Sequence, residues 1–234
     1  MTGAASGIGR AAGALLRARG AQVALFDIDE KALAAAAAAI GGAAVRVDLA
    51  DPADIQSAVD QARGAMGGID GIVNAAGISP RGGLASVSLA DWDLAHAVNT
   101  RAPMLLCQAA LDAMQKAERA TIVNIASGVA LVPTGNNVAY AASKGSLISF
   151  TKAIAIELAP RIRANIVCPG AVDTPMLRGV FATDEQFDAT MQRYAMRRAA
   201  RPEELAEVIA FLSSDASSYI TGATLAADGG RTFH

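Results

Sequence analysis

Short apolar segments alternate with longer helical segments along the whole chain. The predicted strands are AQVALFDID, AAVRVDLA, GIVNAAG, ATIVNIAS, IRANIVCPG and ATLAADGG. Strand–helix units of this length favour parallel strands joined by right-handed crossovers, because tight turns cannot connect parallel strands. The pattern therefore predicts an α/β fold with one doubly wound parallel sheet, in a single domain over residues 1–234.

The segments between the strands carry helix signals. Asp51 is a predicted N-cap, followed by Pro52 in the first turn of a helix. One long helix is predicted over 89–116 and another over 137–159, where Pro160 stops it. Residues 173–200 have a mixed composition, and we expect them to form a mobile flap over a substrate.

Charge and composition exclude several classes of partner. The net charge of −2 leaves no basic surface for nucleic acid and no polybasic patch for a membrane. Cys107 and Cys168 have neither metal nor redox spacing, and His96 and His234 have no metal-ligand partner at helical spacing. Without a signal-peptide pattern or an apolar run of membrane-spanning length, the sequence predicts a cytoplasmic protein with no bound metal.

A glycine-rich turn opens the chain. Gly3, Gly7 and Gly9 would let the backbone approach a pyrophosphate at the start of a helix, although the spacing differs from the general Gly-x-Gly-x-x-Gly pattern. Asp27 ends the next strand, 18 residues after Gly9, where a carboxylate would bind ribose hydroxyls and repel an extra phosphate. With Ser6 in the turn and no basic residue between Gly3 and Gly7, the pattern favours NAD over NADP. Taken singly, these features also fit a flexible terminus and a solvated acid.

A second group of residues could carry chemistry. Tyr140 and Lys144 share one helix face, and a neighbouring ammonium lowers the pKa of a phenol so that it can exchange a proton with a substrate. Ser127 precedes Tyr140 by 13 residues, at the carboxyl end of a predicted strand, where ligands of such sheets bind. Each residue alone also fits an ordinary structural position.

Together these motifs resemble the short-chain dehydrogenase/reductase family over nearly the whole chain. The resemblance rests on TGAASGIG, Asp27, VDL with Asp48, NAAG from Asn74 to Gly77, the set Asn99, Ser127, Tyr140 and Lys144, and CPGAVDT. It implies an oxidoreductase that moves hydride between NAD(H) and a secondary alcohol or ketone. The positions that it assigns to the cofactor are Gly3, Ser6, Gly7, Ile8, Gly9, Asp27, Asp48, Leu49, Asn74, Ala75, Gly77, Tyr140, Lys144, Pro169, Gly170, Val172 and Thr174.

The resemblance also implies roles for the catalytic set. Tyr140 would be the acid/base, and Ser127 would polarise the reacting oxygen. Lys144 would bind the nicotinamide ribose and lower the pKa of Tyr140, while Asn99 would hold a water that links Lys144 to solvent. The family commonly forms homotetramers, which we expect here as well.

The sequence departs from the family in two places. Ala75 replaces the second Asn of the usual Asn-Asn-Ala-Gly, a minor change. The family's first strand lies between the strands ending at Asp27 and Asn74, whereas only Met1 precedes Thr2. We therefore expect the native chain to start several residues upstream, the alternative being a real truncation. We also expect a gap of roughly 9–10 Å in the sheet, and the backbone groups that face it should be unpaired or bound by water or by a segment of another chain.

The substrate pocket is less readable. Its candidates are mostly apolar: Val129, Val132, Asn137, Ala171, Met176, Leu177, Phe181, Phe187, Met191 and Tyr194. They favour a small hydrophobic or alicyclic substrate, although the flap residues could equally pack on the core or on a neighbouring subunit. Two alternatives stay open, a 3-oxoacyl-carrier reductase and a non-catalytic cofactor-binding scaffold. The basic run Arg197, Arg198 and Arg201 could meet an acidic carrier or face solvent.

Overall fold

Strands and helices alternate as the sequence predicts, in a computed structural model that describes residues 1–232. His234, considered above as a metal ligand, lies outside the described residues. The strands within this range, all parallel, are β1 (Ala24–Asp27), β2 (Ala43–Arg46), β3 (Gly71–Asn74), β4 (Ala120–Ile125), β5 (Ile162–Pro169) and β6 (Thr224–Ala227). The predicted α/β fold with a parallel sheet is confirmed.

The helices follow the predicted positions with additions. Their bounds are α1 (Gly7–Ala18), α2 (Glu30–Ile40), α3 (Pro52–Met66), α4 (Leu89–His96), α5 (Ala102–Lys116), α6 (Gly128–Leu131), α7 (Val138–Leu158), α8 (Pro175–Arg178), α9 (Asp184–Met191) and α10 (Pro202–Ser213). The predicted N-cap is confirmed, because the Asp51 carboxylate accepts from Ala53 N at 2.9 Å. The sequence analysis missed α6, and it did not anticipate that α8 and α9 form inside the flap.

The predicted helix 89–116 is interrupted at Ala97–Arg101, where the backbone forms a π turn between α4 and α5. The cause is local. Pro103 has no N–H to donate to the carbonyl of Asn99, four residues earlier, so the regular bonding of an α-helix cannot continue there. The turn places Asn99 inside the protein, where its side chain is fully buried.

The sheet falls into two hydrogen-bonded groups, β1–β2 and β3–β4–β5–β6. Thr2 forms parallel bridges to Phe26 of β1 and to Asn74 of β3, so the first residues of the chain lie between the two groups. The predicted interruption of the sheet is therefore present between β1 and β3.

The expectation of unpaired groups facing the gap is wrong at its carboxyl end. Met1 donates to Ala24 O at 2.9 Å and its carbonyl accepts from Phe26 N at 2.8 Å, while Thr2 N donates to Val73 O at 3.0 Å. Buried backbone groups rarely remain without partners. Here residues of the same chain supply those partners.

Helices cover both faces of the sheet, because alternate strand residues point to opposite sides. On one face, α3, α5 and α7 pack with strand residues such as Phe26 and Ile122. On the other face, α1 and α10 pack on Val73, Val123 and Val167. This arrangement leaves the carboxyl ends of the strands as the edge at which a ligand can bind.

Candidate functional site

The glycine-rich turn joins the end of the N-terminal segment to α1. Gly3 and Gly7 have positive φ angles of 66° and 51°. A Cβ on Gly9 would lie 2.2 Å from Gly3 O, so only glycine fits there. Ser6 caps α1 with extended backbone and makes no side-chain capping bond, which leaves its hydroxyl for another partner. The bare backbone and the helix N-terminus suit a pyrophosphate.

Thr2 locks this turn to the loop after β3. Its Oγ1 accepts from Ala75 N and from Ala76 N, both at 3.1 Å, and the side chain is buried. A Cβ on Gly3 would lie 2.9 Å from Ala76, so the two loops are in close contact. The sequence analysis counted Thr2 only as part of the turn. Its clamping role could not be read from the sequence, because the partners lie more than 70 residues away.

Asp27 lies at the carboxyl end of β1, beside the turn. Its carboxylate accepts from Ala5 N at 3.0 Å and from Asp29 N at 3.2 Å. Its register neighbour on β2 is Arg46, whose guanidinium is paired with Asp54 at 3.0 Å. The cation that neighbours Asp27 on β2 is therefore held by another acid.

Asp48 and Leu49 follow β2 on the same edge of the sheet. The Asp48 carboxylate accepts from Ala50 N at 2.8 Å, and Leu49 is buried. Asn74 ends β3, but its side chain turns into the sheet and donates to Asn124 Oδ1 at 2.8 Å. Asn124 in turn donates to Thr151 at 2.8 Å. The Oδ1 of Asn74 is buried and has no hydrogen-bond partner among residues 1–232.

Ser127, Tyr140 and Lys144 meet at the carboxyl end of β4. Ser127 caps α6, accepting from Val129 N at 3.1 Å, and its hydroxyl faces Tyr140 on α7. Lys144 is buried one turn further along α7 and donates to Ile125 O at 2.7 Å. The structure thus brings together three residues that the sequence could only place in order.

Burial sets the protonation of this cluster. It raises the pKa of Tyr140, and the neighbouring Ser127 hydroxyl acts in the opposite direction. It lowers the pKa of Lys144 to about 8. The expected depression of the Tyr140 pKa by Lys144 is therefore outweighed by desolvation in the protein alone.

A thiol that the sequence analysis set aside lies beneath the same cluster. Cys168 is fully buried, and its pKa is raised to about 11 by burial, against a smaller lowering by the main chain of Ser127 and the charge of Lys144. Cys168 and Cys107 are both free thiols. At neutral pH Cys168 is protonated and adds no negative charge beside Tyr140.

Asn99 fixes the loop that follows NAAG. Its Oδ1 accepts from Ile78 N and its Nδ2 donates to Ile78 O, each at 2.9 Å, and Nδ2 also reaches Ser143 Oγ at 2.9 Å. A Cβ on Gly77 would lie 3.1 Å from both Asn99 Oδ1 and Lys144 Nζ. The backbone of Gly77 therefore lies between Asn99 and Lys144, and a side chain at this position would crowd both.

The segment CPGAVDT connects this cluster to the glycine-rich turn. A Cβ on Gly7 would lie 3.0 Å from Thr174 Cγ2, so the two segments face each other across the sheet edge. Thr174 caps α8, and Val172 bridges Ala200, which closes the base of the flap. Pro169 ends β5 and Gly170 follows it. A Cβ on Gly170 would lie 2.6 Å from Asp228 O. The positions predicted for a nicotinamide contact are thereby held rigidly.

The flap is ordered around its own small core. Ala171, Phe187 and Met191 are buried together, with Leu177, Phe181 and Tyr194 packed against them, while Met176 is exposed. Val132 is also exposed. A cavity of about 210 Å³ at the base of the flap is lined by residues such as Met196, Arg198 and Asp228, and none of Ser127, Tyr140 and Lys144 lines it. Asn137 donates to Thr134 at 2.9 Å, and its buried Oδ1 has no partner among the described residues.

Within residues 1–232, no group of three or more His, Cys, Asp or Glu side chains is placed to hold a metal ion. No helix in the same range combines the length and apolar character needed to cross a membrane.

Known proteins are similar to this chain in sequence and in fold. A family model described as enoyl-(acyl carrier protein) reductase matches residues 3–232. The chain is 39% identical to cis-4-hydroxycyclohexanecarboxylate dehydrogenase of Sinomonas cyclohexanicum, over 99% of this chain and 95% of that one.

Two solved structures are similar along their length. One is a 3-ketoacyl-(acyl-carrier-protein) reductase from Brucella melitensis complexed with NADH, with a TM-score of 0.92, 35% identity and coverage of 99% and 96%. The other is a blue fluorescent protein from a metagenomic library in complex with NADPH, with a TM-score of 0.92, 34% identity and coverage of 99% and 96%.

Proposed function

The chain belongs to the short-chain dehydrogenase/reductase family of oxidoreductases, and from this premise we propose that it interconverts a small hydrophobic or alicyclic secondary alcohol and its ketone with NAD as the cofactor. The observation that carries the proposal is the cluster of Ser127, Tyr140 and Lys144 at the carboxyl end of β4. The glycine-rich turn lies along the same sheet edge, in contact with Thr174.

The protein contributes geometry and proton transfer. When bound, the nicotinamide ring supplies the chemistry of accepting or returning the hydride of the carbinol carbon. In the oxidative direction, Tyr140 takes the hydroxyl proton of the substrate, so that loss of hydride and proton together gives the ketone. Ser127 donates a hydrogen bond to the reacting oxygen, and Lys144 favours the phenolate by its charge.

Asn99 acts as a positioning residue in this scheme. Its side chain holds Ile78 and Ser143, and so fixes the loop on one side of Lys144 and the helix that carries it. Any water held at its main-chain carbonyl would extend a proton path from Lys144, in keeping with the role that the family resemblance implies.

NAD is the proposed cofactor because of Asp27. A carboxylate at this position accepts ribose hydroxyls and repels a 2′-phosphate. Arg46, the nearest cation on β2, is engaged by Asp54 and does not offset that repulsion. The dehydrogenase from Sinomonas acts, by its name, on an alicyclic alcohol, which supports the proposed substrate class.

The reductase alternative retains some support. The similar protein from Brucella melitensis is named a 3-ketoacyl-(acyl-carrier-protein) reductase and is complexed with NADH. An acidic carrier would need the basic run of residues 197–201, but Arg198 is already paired with Glu204 at 2.7 Å. This ion pair favours the interpretation in which the basic residues 197–201 face solvent and do not bind an acidic carrier. The intact catalytic set argues against a non-catalytic scaffold.

We also propose that residues 173–200 act as a substrate flap on a single domain, and that the protein is a cytoplasmic homotetramer. Exposed apolar side chains on α4, α5 and α7 support association: Trp92, Leu94, Met104 and Ile156. The two reduced cysteines are consistent with the cytoplasm. Sedimentation equilibrium tests the tetramer, and a monomer at micromolar concentration would contradict it.

The deciding experiment for function is a steady-state scan. The purified protein would be assayed with NAD and NADP against secondary alcohols of increasing size, cyclic and linear, and with the corresponding ketones. Turnover of cyclic alcohols with NAD is the expected result. Activity confined to acyl-carrier thioesters would favour the reductase, and no turnover with bound NADH would favour the scaffold.

A further inference from the structure

Arg231 lies next to the catalytic serine, beneath the start of α6. Its Nη2 donates to Val132 O at 3.0 Å. Its Nη1 would lie 3.1 Å from a Cβ on Gly128, the residue that follows Ser127. The guanidinium therefore occupies the space that the missing side chain of Gly128 leaves open.

Nη1 of Arg231 is buried and has no hydrogen-bond partner among residues 1–232. In the same range, Arg231 takes part in no ion pair, although seven other ion pairs are present. Arg231 as a whole is half-buried, but a buried N–H group without an acceptor is costly. The position thus calls for an acceptor from elsewhere.

The neighbouring acid, Asp228, does not fill this role. Its Oδ1 accepts from Gly230 N and Arg231 N at 3.0 and 3.2 Å, and Oδ2 accepts from Thr232 N at 3.0 Å and from the Thr232 hydroxyl. These hydrogen bonds occupy both oxygens of the Asp228 carboxylate within the turn that follows β6. They hold the backbone of Arg231 in place while its side chain extends away towards α6.

The elements around the guanidinium are those that bound the proposed substrate site. Val132 follows α6, and Tyr194 belongs to the flap core, where burial raises the pKa of its phenol and the charge of Arg231 acts in the opposite direction. Both were pocket candidates on sequence grounds. A charge-assisted hydrogen bond between a guanidinium and a carboxylate is stronger than one between neutral groups.

We propose that Arg231 is the anion-recognition residue of the substrate site, and that the preferred substrate is a secondary alcohol bearing a carboxylate. The proposal rests on the proposed function, since it assigns a substrate class to the same site. In the oxidative direction a hydroxy acid loses a hydride from carbon to NAD⁺ and a proton from the hydroxyl. It becomes the keto acid, and its carboxylate is unchanged and paired with the guanidinium of Arg231.

The test compares substrates that differ only in charge. Each of the 2-, 3- and 4-hydroxycyclohexanecarboxylates would be assayed with NAD against its carboxamide, which is nearly isosteric and neutral. For at least one positional isomer, the expected preference in kcat/KM for the carboxylate is about tenfold or more.

Two variants address Arg231 directly. Arg231→Met removes the charge and should bring the carboxylate-to-carboxamide ratio to about one, whereas Arg231→Lys should retain part of it. Because both substrates are measured on one preparation, partial unfolding cancels from the ratio. Gly128→Ala would place a methyl group 3.1 Å from Nη1, and it should also reduce the ratio while keeping the charge.

The matched control is Arg161→Met, which removes an exposed arginine at the amino end of β5, away from the site, and the same net charge. Its ratio should equal that of the unchanged protein. Equal kcat/KM for carboxylate and carboxamide in the unchanged protein would overturn the inference and leave the proposed function standing, as would a preference that survives Arg231→Met. Failure to oxidise any of the acids, amides or simple cyclic alcohols would overturn the proposed function, and this inference with it.

Discussion

Lys144 donates from Nζ to the main-chain carbonyl of Ile125 at 2.7 Å. The bond holds the buried ammonium at the end of β4, just before Ser127. It therefore fixes the position of the Lys144 side chain relative to the strand. Burial lowers the pKa of Lys144 to about 8 from the ordinary 10.5. The buried charge of Lys144 therefore destabilises the fold, and the bond to Ile125 O offsets this only in part.

The first prediction concerns pH and stability. The unfolded chain holds the Lys144 proton up to about pH 10.5, and the folded chain releases it near pH 8. The charged form thus destabilises the fold fully below pH 8, and this penalty disappears as the pH rises towards 10.5. From the difference between the two pKa values, it amounts to about 3 kcal/mol.

The measurement is urea unfolding of the unchanged protein and of Lys144→Met at pH 7 and at pH 10. Comparison with the variant cancels the titration of other groups. The advantage of Lys144→Met in unfolding free energy should be larger at pH 7 than at pH 10. If the difference in unfolding free energy between the two proteins did not change with pH, burial of the Lys144 ammonium would not destabilise the fold.

The second prediction concerns the proton carrier. Tyr140→Phe keeps the ring and removes the hydroxyl, so turnover should fall by about 10²-fold or more. Binding of NADH, followed by fluorescence, should be retained, because the backbone of the glycine-rich turn is untouched. Near-normal turnover in this variant would exclude Tyr140 as the acid/base and favour the scaffold.

The third prediction concerns cofactor choice. We expect NAD to be preferred over NADP by about tenfold or more in kcat/KM, which corresponds to about 1.4 kcal/mol. Asp27→Asn should narrow the preference by removing the charge while keeping an acceptor for Ala5 N. Adding Asp54→Asn, which releases Arg46 from its ion pair, should narrow it further.

The control for this series is Asp60→Asn. It removes an equally negative side chain, one that is paired with Arg63 on the surface of α3. Cofactor preference should be unaffected in this variant. Equal activity of the unchanged protein with both cofactors would refute the proposed role of Asp27.

The fourth prediction concerns the Thr2 clamp. Thr2→Val conserves shape but removes the oxygen that accepts from Ala75 N and Ala76 N. Leaving these groups unpaired should cost about 1–3 kcal/mol and lower Tm. Thr2→Ser is the matched control, since it keeps the hydroxyl, and should retain most of the stability. Equal Tm for all three proteins would mean that water replaces the hydroxyl at no cost.

Local patterns in the sequence were sufficient for the order of the elements and for much of the site. The alternation of strands and helices, the glycines of the turn, the acid that ends β1 and the four-residue spacing of Tyr140 and Lys144 are all short-range features. Backbone geometry converts such features directly into structure, since a helix period or a strand end needs no distant partner. Even the π turn at Asn99 had a local signal in Pro103.

Tertiary structure decided what depends on distant neighbours. Thr2 meets Ala75 and Ala76 only because β1 and β3 flank the first residues of the chain, and Arg231 reaches Gly128 only because β6 lies beside β5. The direction of the Tyr140 pKa also changed from the expectation, because desolvation depends on the whole surrounding fold and outweighs the effect of one neighbouring charge. Spacing along the chain determines which residues can share a face, whereas burial and long-range packing determine how they are charged and what they touch.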